Sequence, residues 1–444
     1  MTTAAENALL TGVGPGTPMG EMMRQYWFPV ARSDEIEADG DPLRLLALGE
    51  KLIAFRDTSG RVGVMDHRCP HRCASLFFGR NEEGGIRCVY HGWKYDVDGN
   101  CLDMANVPTH QDFKHKVKAR AYPARDQWGA VWIYMGGRET PPPFPDFELN
   151  DLAESDIEVR MIQQEYNWLQ GLENDLDTSH FGFLHLGGID PKTMDPDDLL
   201  YQLAIDRAPQ FHIEETPMGL MYGAYRPADE GNTHWRMAQF MTPFWVIPPA
   251  GPADRIMGMK GYIPMDDTHT MTIFIARRQT ATGSGRLKSG APVPGISAEG
   301  NRSLLEFRDN TTDWLGRWRL VNAPENDYLI DRELQRNGGV YSGIVGVPVQ
   351  DNAIAGTMGP INDRTFEHLA SSDEMIARAR RKLLRLVRAY QKDKSMALPG
   401  VDEPDIYRGH RGGNFVAPKD QPFRQAYEAL MVEKTGYTPR WAAE

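Results

Sequence analysis

Apolar positions change their period several times along this chain, and the changes divide it. From Leu43 to Met65 apolar residues alternate in short runs around Thr58-Ser59-Gly60, the pattern of hairpin strands. Trp93 to Val97 alternates with period two and runs into Asp98-Gly99, a two-residue hairpin turn, and Ala130 to Tyr134 reads as another strand. Upstream, Thr17 caps a short predicted helix that the aromatic-proline segment ending at Val30 stops, with Trp27 and Phe28 as core anchors. The first ~140 residues therefore read as a small antiparallel β domain. Pro141-Pro142-Pro143 with Pro145 makes a stiff linker, so the predicted domains are 1–145 and 146–444.

The second part opens on polar, acidic sequence and predicts a helix from about Gln163 to His180. Alternating segments follow at Gln210 to Glu214, Gly219 to Tyr225, Trp235 to Phe240, Met257 to Ile263 and Thr270 to Ala276. Together they predict one antiparallel sheet covered by helices, an α+β arrangement. Thr280 to Asn301, rich in Gly, Ser and Pro, reads as a long loop. Glu374 to Lys394 is amphipathic, with Ile376, Ala379, Leu383, Val387 and Tyr390 at helical spacing.

The 444 residues suffice for two domains with cores of their own, and 41% hydrophobic content is that of a globular protein. A net charge of −12 argues against a nucleic-acid partner, which needs a basic face. No run of about 18 apolar residues suggests a membrane span. The first residues lack the basic start and apolar core of a secretory signal, so a cytoplasmic location is expected. Four cysteines are too few for a disulfide framework.

Two of those cysteines belong to the most informative stretch, CPHRCASLFFGRNEEGGIRCVYHGW, starting at Cys69. It sets the pair Cys69 and His71 ahead of the pair Cys88 and His91, across a glycine-rich loop. Two thiolates and two imidazoles fit tetrahedral zinc. They also fit a [2Fe–2S] cluster whose one iron takes two Cys and the other two His, and that geometry draws one of each from two adjacent loops. The stretch resembles the Rieske oxygenases, with a CPHR-type first loop and a CxYHGW-type second loop. Cys73 stands where many members carry a small residue such as Gly, and is not counted as a ligand.

A second constellation lies in DLDTSHFGFLH. Asp177 and His180 share a helix face, whereas His180 and His185, five apart, diverge by about 140° on a regular helix. They converge only if the helix breaks or bulges, and Gly182 lies in the gap. Two histidines and one carboxylate make the facial triad of mononuclear iron(II). Asp351 in GVPVQDNAIAGTMGP is the chosen carboxylate, with Asp327, Asp331 and Asp363 as competitors. The Rieske oxygenase pattern, D-x-x-H-x-x-x-x-H and a later ligand Asp, is similar to this chain. In that family Asp177 implies no iron ligand but a bridge from an iron-site histidine to a cluster histidine of the neighbouring subunit.

The resemblance covers nearly the whole chain and is closest to the phthalate dioxygenase group, on GPGTPMGEMMRQYWFPV and QDNAIAGTMGPINDRTFEHLASSDEMI. It implies an α subunit that works as a homotrimer or stacked trimers. NAD(P)H electrons arrive through a separate reductase, with or without a ferredoxin, pass to the Rieske cluster and reach the mononuclear Fe(II), where O2 is activated. The implied reaction is oxygenation of an aromatic carboxylate, with O-demethylation or hydroxylation favoured over cis-dihydroxylation of a substrate such as a phthalate. An anionic substrate needs a buried cation, and Arg207, Arg226 and Arg236 are candidates beside the strands expected to wall the pocket. Phe240, Met241, Phe244 and Trp245 are candidate apolar wall. The basic helix from Arg378 to Lys394 reads as a solvated face or a dock for an acidic electron donor. The rival class is an iron–sulfur electron-transfer or sensor protein, which leaves His180 and His185 unexplained.

Overall fold

The computed structural model describes residues 2–229, 231–278, 285–296, 304–337 and 339–439. The chain opens with two short helices, α1 (Ala4–Thr11) and α2 (Pro18–Met23). Thr3 and Thr17 cap them by accepting backbone N–H groups of Glu6 and Gly20. Eleven strands follow: β1 (Trp27–Arg32), β2 (Leu43–Ala47), β3 (Glu50–Arg56), β4 (Val62–Asp66), β5 (Arg80–Glu82), β6 (Gly85–Arg87), β7 (Trp93–Tyr95), β8 (Cys101–Met104), β9 (Ala121–Tyr122), β10 (Ala124–Gln127) and β11 (Ala130–Tyr134). They form three small antiparallel sheets in the orders β1-β11-β10, β2-β3-β4-β9 and β5-β6-β7-β8.

A larger antiparallel sheet follows, of β12 (Ile157–Gln164), β13 (Gln210–Glu215), β14 (Gly219–Pro227), β15 (Asn232–Met241), β16 (Trp245–Ile247), β17 (Gly258–Pro264) and β18 (Thr270–Arg277). Its order is β12-β18-β17-β16-β15-β14-β13, and a late strand, β19 (Gly413–Pro418), pairs with β15. The helices are α3 (Trp168–Leu176), α4 (Tyr201–Ile205), α5 (Arg332–Arg336), α6 (Val347–Thr357), α7 (Glu374–Lys392) and α8 (Phe423–Thr435). None of the described helices is long and apolar enough to cross a membrane.

Register decides which side chains meet on the large sheet. Arg160 and Lys260 both pair with Phe274, and Ile162 and Tyr262 both pair with Thr272. Directly paired residues point to the same face, so these six share one. Helix α3 lies over it: a Cβ on Gly171 would stand 2.5 Å from Tyr262 Cε1, so only glycine lets helix and sheet come this close. Trp168, Leu169, Leu172 and Leu176 of α3 are buried in the main core. Truncating one of these leucines to alanine costs about 2–5 kcal/mol. Asn167 caps the helix through Leu169 N–H and donates to the carbonyls of Thr11 and Asp267, which ties the N-terminal arm to it.

The expected strands are present; β13, β14, β15 and β18 run up to three residues further at their ends, β7 stops at Tyr95 rather than Val97, and β17 starts at Gly258 rather than Met257. The helix expected from Gln163 to His180 is shorter. Gln163 and Gln164 end strand β12, Asn167 caps, and α3 stops at Leu176 because Asp177 leaves helical space at ψ 105°. Of the loop expected from Thr280 to Asn301, only 285–296 lies within the described residues. There Val293 and Ile296 pack with Leu186 and Leu200.

Candidate metal centres and cavity

Cys69 and His71 sit in the loop between β4 and β5, and Cys88 and His91 in the loop between β6 and β7. Each loop is closed by a backbone bond to its own cysteine: Cys73 N–H donates to Cys69 O, and Gly92 N–H to Cys88 O, both at 2.9 Å. Gly92 has φ +77° and a Cβ there would lie 2.8 Å from Ala105 Cβ, so glycine is required on both counts. Cys73 is exposed and holds φ +60°, the left-handed conformation in which glycine is unstrained.

The donors sort by type. Both thiols are buried, whereas His71 and His91 lie toward the surface with ring centroids 4.5 Å apart. His71 stacks on Trp93 at 4.2 Å, and Trp93 Nε1–H is held by Asn106 Oδ1. Tyr95 Oη is 3.4 Å from Cys69 Sγ, and burial pushes the Cys69 thiol up, a bias that metal ligation reverses. His91 Nδ1 is buried without a hydrogen-bond partner. An orphaned imidazole nitrogen, two inner sulfurs and two outer histidines fit a cluster with one Cys-held and one His-held iron.

The second centre depends on a break in helical geometry. After α3 the chain turns at Asp177, and residues Phe181–His185 form a π-helical turn in which Leu186 N–H bonds Phe181 O. The i→i+5 repeat brings His180 and His185 together where an α-helix would separate them. Their Nε2 atoms lie 3.2 Å apart. Asp351, from α6, completes the triangle, its Oδ1 3.1 Å from His185 Nε2 and 3.5 Å from His180 Nε2. Gly182 contributes by its size: a Cβ there would lie 3.0 Å from Arg207 Cγ and 3.1 Å from Leu203 O.

Three ligands at right angles about 2.1 Å from one metal stand about 3.0 Å from each other, close to these edges. Among the described residues this is the one group of three or more His, Cys, Asp or Glu side chains compact enough for a single ion. Asp351 Oδ1 is buried and accepts no hydrogen bond, and its carboxyl is held far below the usual range despite burial, because His185 and His180 face it. Burial opposes a charge on His180, yet Asp177 and Asp351 outweigh it and push its pKa up to about 10.

Two further groups orient the ligands. His185 Nδ1 donates to Gln350 Oε1 at 2.5 Å, which leaves Nε2 as the free lone pair, and Gln350 is itself fixed by Ile344 O. Asp177 Oδ2 faces His180 Nδ1 at 3.6 Å while its Oδ1 accepts from Ser179 N–H and Oγ–H. Of the competing carboxylates, Asp331 caps α5 and Asp363 bonds Thr365. Neither these nor Asp327 joins the histidines.

A cavity of about 340 Å³ opens beside the triad, between α3 and the sheet, and Arg236 lines it. Arg236 Nε–H donates to Thr178 Oγ1 at 2.8 Å, and its guanidinium lies over the Phe181 ring. No carboxylate among the described residues pairs with it, and burial pushes its pKa down to about 10. The other expected anchors lie elsewhere. Arg207 stands over Phe183 and donates to Gly187 O, and Arg226 is buried against Asp206 O; neither lines the cavity. Phe240, Met241, Phe244 and Trp245 are not cavity wall either: all four are 0–1% exposed in the main core.

Residues 26–118 match the family described as Rieske [2Fe-2S] domain, and residues 133–439 match LigXa C-terminal domain like. The chain is 46% identical to the 3-chlorobenzoate-3,4-dioxygenase oxygenase subunit of Comamonas testosteroni, over 96% of this chain and 98% of that one. It is 40% identical to the 5,5'-dehydrodivanillate O-demethylase oxygenase subunit of Sphingobium sp., over 92% and 89%. It is 36% identical to the phthalate 4,5-dioxygenase oxygenase subunit of Pseudomonas putida, over 97% and 96%.

Proposed function

The chain belongs to the Rieske non-haem iron oxygenases, as an oxygenase subunit, and on that premise we propose that it oxygenates an aromatic carboxylate anchored by Arg236. One observation carries the choice of anchor: a buried guanidinium without a carboxylate partner lines the same cavity as the triad and bonds Thr178, two residues before His180 in the chain. Such a charge is costly to bury alone, and a substrate carboxylate offsets that cost with charge-assisted hydrogen bonds.

When bound, a cluster and a mononuclear iron would supply single-electron transfer and O2 activation here. Cys69, Cys88, His71 and His91 are assigned to the cluster, and His180, His185 and Asp351 to the iron. Gln350 keeps the His185 Nδ1 proton in place, so that Nε2 stays free for metal. Arg236 sets the ring's orientation at the triad, and Phe181, held under its guanidinium, shields that end of the cavity from water. The chain divides into an iron–sulfur part, 1–145, and a catalytic part, 146–444.

Asp177 is assigned the bridge from His180 to a cluster histidine of a neighbouring subunit. The exposed Val89 and Tyr90 beside His91, and the exposed Phe183 beside the triad, support head-to-tail contact in a trimer. A reductase supplies the electrons.

The dioxygenase relatives favour cis-dihydroxylation as the outcome, and the O-demethylase relative supports O-demethylation as the second reading. The test is turnover of benzoates, methoxybenzoates and phthalates by the iron-loaded protein with a reductase, scoring cis-diol against formaldehyde. Arg236→Gln is expected to weaken carboxylate binding at least 100-fold with iron content unchanged. Equal binding by that variant refutes the anchor.

A further inference from the structure

Asp175 and Lys260 also line the cavity, one from α3 and the other from β17. Lys260 Nζ lies 3.0 Å from Asp175 Oδ2 and 3.2 Å from Oδ1, and Tyr262 Oη–H donates to Oδ2 at 2.6 Å. Tyr262 is itself locked, its ring seated against Gly171 of α3 and its side chain 2% exposed. An ion pair fixed by a buried phenol is thus presented to the cavity beside apolar Phe274.

The pair is a polar point distinct from Arg236. Lys260 pairs with Val246, Val246 pairs with Phe240, and Arg236 lies four residues from Phe240 along β15. With about 3.4 Å rise per residue and about 4.8 Å between strands, the two Cα atoms stand roughly 17 Å apart on one face.

The hydrogen-bond inventory says what this point accepts. A carboxylate offers about four acceptor positions and an ammonium three donors. Asp175 receives Tyr262 and Lys260, and Lys260 spends at most two protons on Asp175. One acceptor place and one donor remain, side by side. A second substrate carboxylate would meet the Asp175 charge, and an apolar or halogen substituent would leave the remaining acceptor place and donor unfilled. A hydroxyl, which donates and accepts at once, satisfies both.

We propose that Asp175 and Lys260, positioned by Tyr262, recognise a hydroxyl on the aromatic ring, so that the preferred substrate class is a hydroxylated aromatic carboxylate. This rests on the cavity being the aromatic-carboxylate site. A site built to bond a substrate hydroxyl discriminates against the analogue lacking it, since its remaining acceptor place and donor are then desolvated without a partner. The bland alternative, a tether between helix and sheet, affects every ligand equally.

The experiment is equilibrium binding of benzoate, 3- and 4-hydroxybenzoate and phenol to the iron-loaded wild type, Lys260→Met and Asp175→Asn, with iron content and Tm measured on each. The wild type is expected to bind one hydroxybenzoate at least 10-fold more tightly than benzoate. Each variant should bring that ratio within 2-fold of unity, whatever the change in its benzoate Kd. Tyr262→Phe, the mildest change, should lower the ratio partway. Benzoate binding with no gain from either hydroxyl, or a gain that survives both substitutions, overturns the proposal and leaves the carboxylate reading standing. Phenol binding that depends on Lys260 with no benzoate binding overturns the carboxylate reading and leaves the hydroxyl site standing. Binding of none of the four overturns both.

Discussion

Gln350 Oε1 accepts the Nδ1 proton of His185 at 2.5 Å, one residue before the carboxylate that meets the same histidine on its other nitrogen. One turn of α6 therefore fixes both the orientation of a ligand and the position of its neighbour. Removing such a supporting contact typically costs 10- to 100-fold in metal affinity. Gln350→Leu is expected to show that loss in iron titrations, with the cluster absorption unchanged.

Asp351→Ala removes a corner of the triangle itself. Iron analysis should fall from about three per chain to about two, with the brown cluster retained. Activity equal to wild type in that variant would reassign the carboxylate.

Asp177 touches His180 on the nitrogen turned away from the other two ligands, bonds Ser179, and is not itself a corner of the triangle. Asp177→Asn should therefore keep both metals and slow single-turnover cluster oxidation at least 10-fold. Unchanged single-turnover kinetics removes the bridge.

Glu173 of α3 is buried between Arg364, at 2.9 Å, and Arg380, at 2.6 Å. Burial works against its charge, yet the two guanidinium groups win and hold its carboxyl below the usual range. A depressed folded-state pKa gives stability that is present above the unfolded value of about 4.3 and is lost as pH falls through the folded value. Glu173→Gln should lower Tm at neutral pH, since breaking a buried pair costs about 3–5 kcal/mol. The gap to wild type should then narrow as pH drops below about 4.3, as followed by thermal melts from pH 7 to 3.

Much of this site was legible in the sequence, for reasons that differ by residue. Cys69, His71, Cys88 and His91 lie in two short loops, so spacing alone groups them. His180 and His185 carried a warning, because their spacing contradicts a regular helix, and the π-turn resolves it. Strand β12 was missed although Ile157, Val159 and Met161 alternate with Glu158 and Arg160; the run is short, Ile162 breaks it, and its polar positions, Glu158, Arg160 and Gln164, line the cavity. Asn167, a strong capping residue, was the available signal for where α3 begins. Arg236 was not separable from Arg207 and Arg226 in one dimension, since what distinguishes it is facing Thr178 and the cavity rather than Gly187 or Asp206. Gln350 gave no pattern of its own beyond adjacency to Asp351. Lys260 and Asp175 meet only through sheet register.

The four residues assigned to the cluster span Cys69 to His91, while the triangle assigned to the iron waits for Asp351, far downstream of His185. The consequence is an order of maturation on the ribosome. A nascent chain carries every residue assigned to the cluster long before Asp351, so His180 and His185 emerge without the third corner of the triangle. Iron loading of this subunit should accordingly be sensitive to the pool of competing metals during synthesis, in a way that cluster loading is not. Growth in zinc-rich medium should give protein with a full cluster and a substoichiometric mononuclear iron.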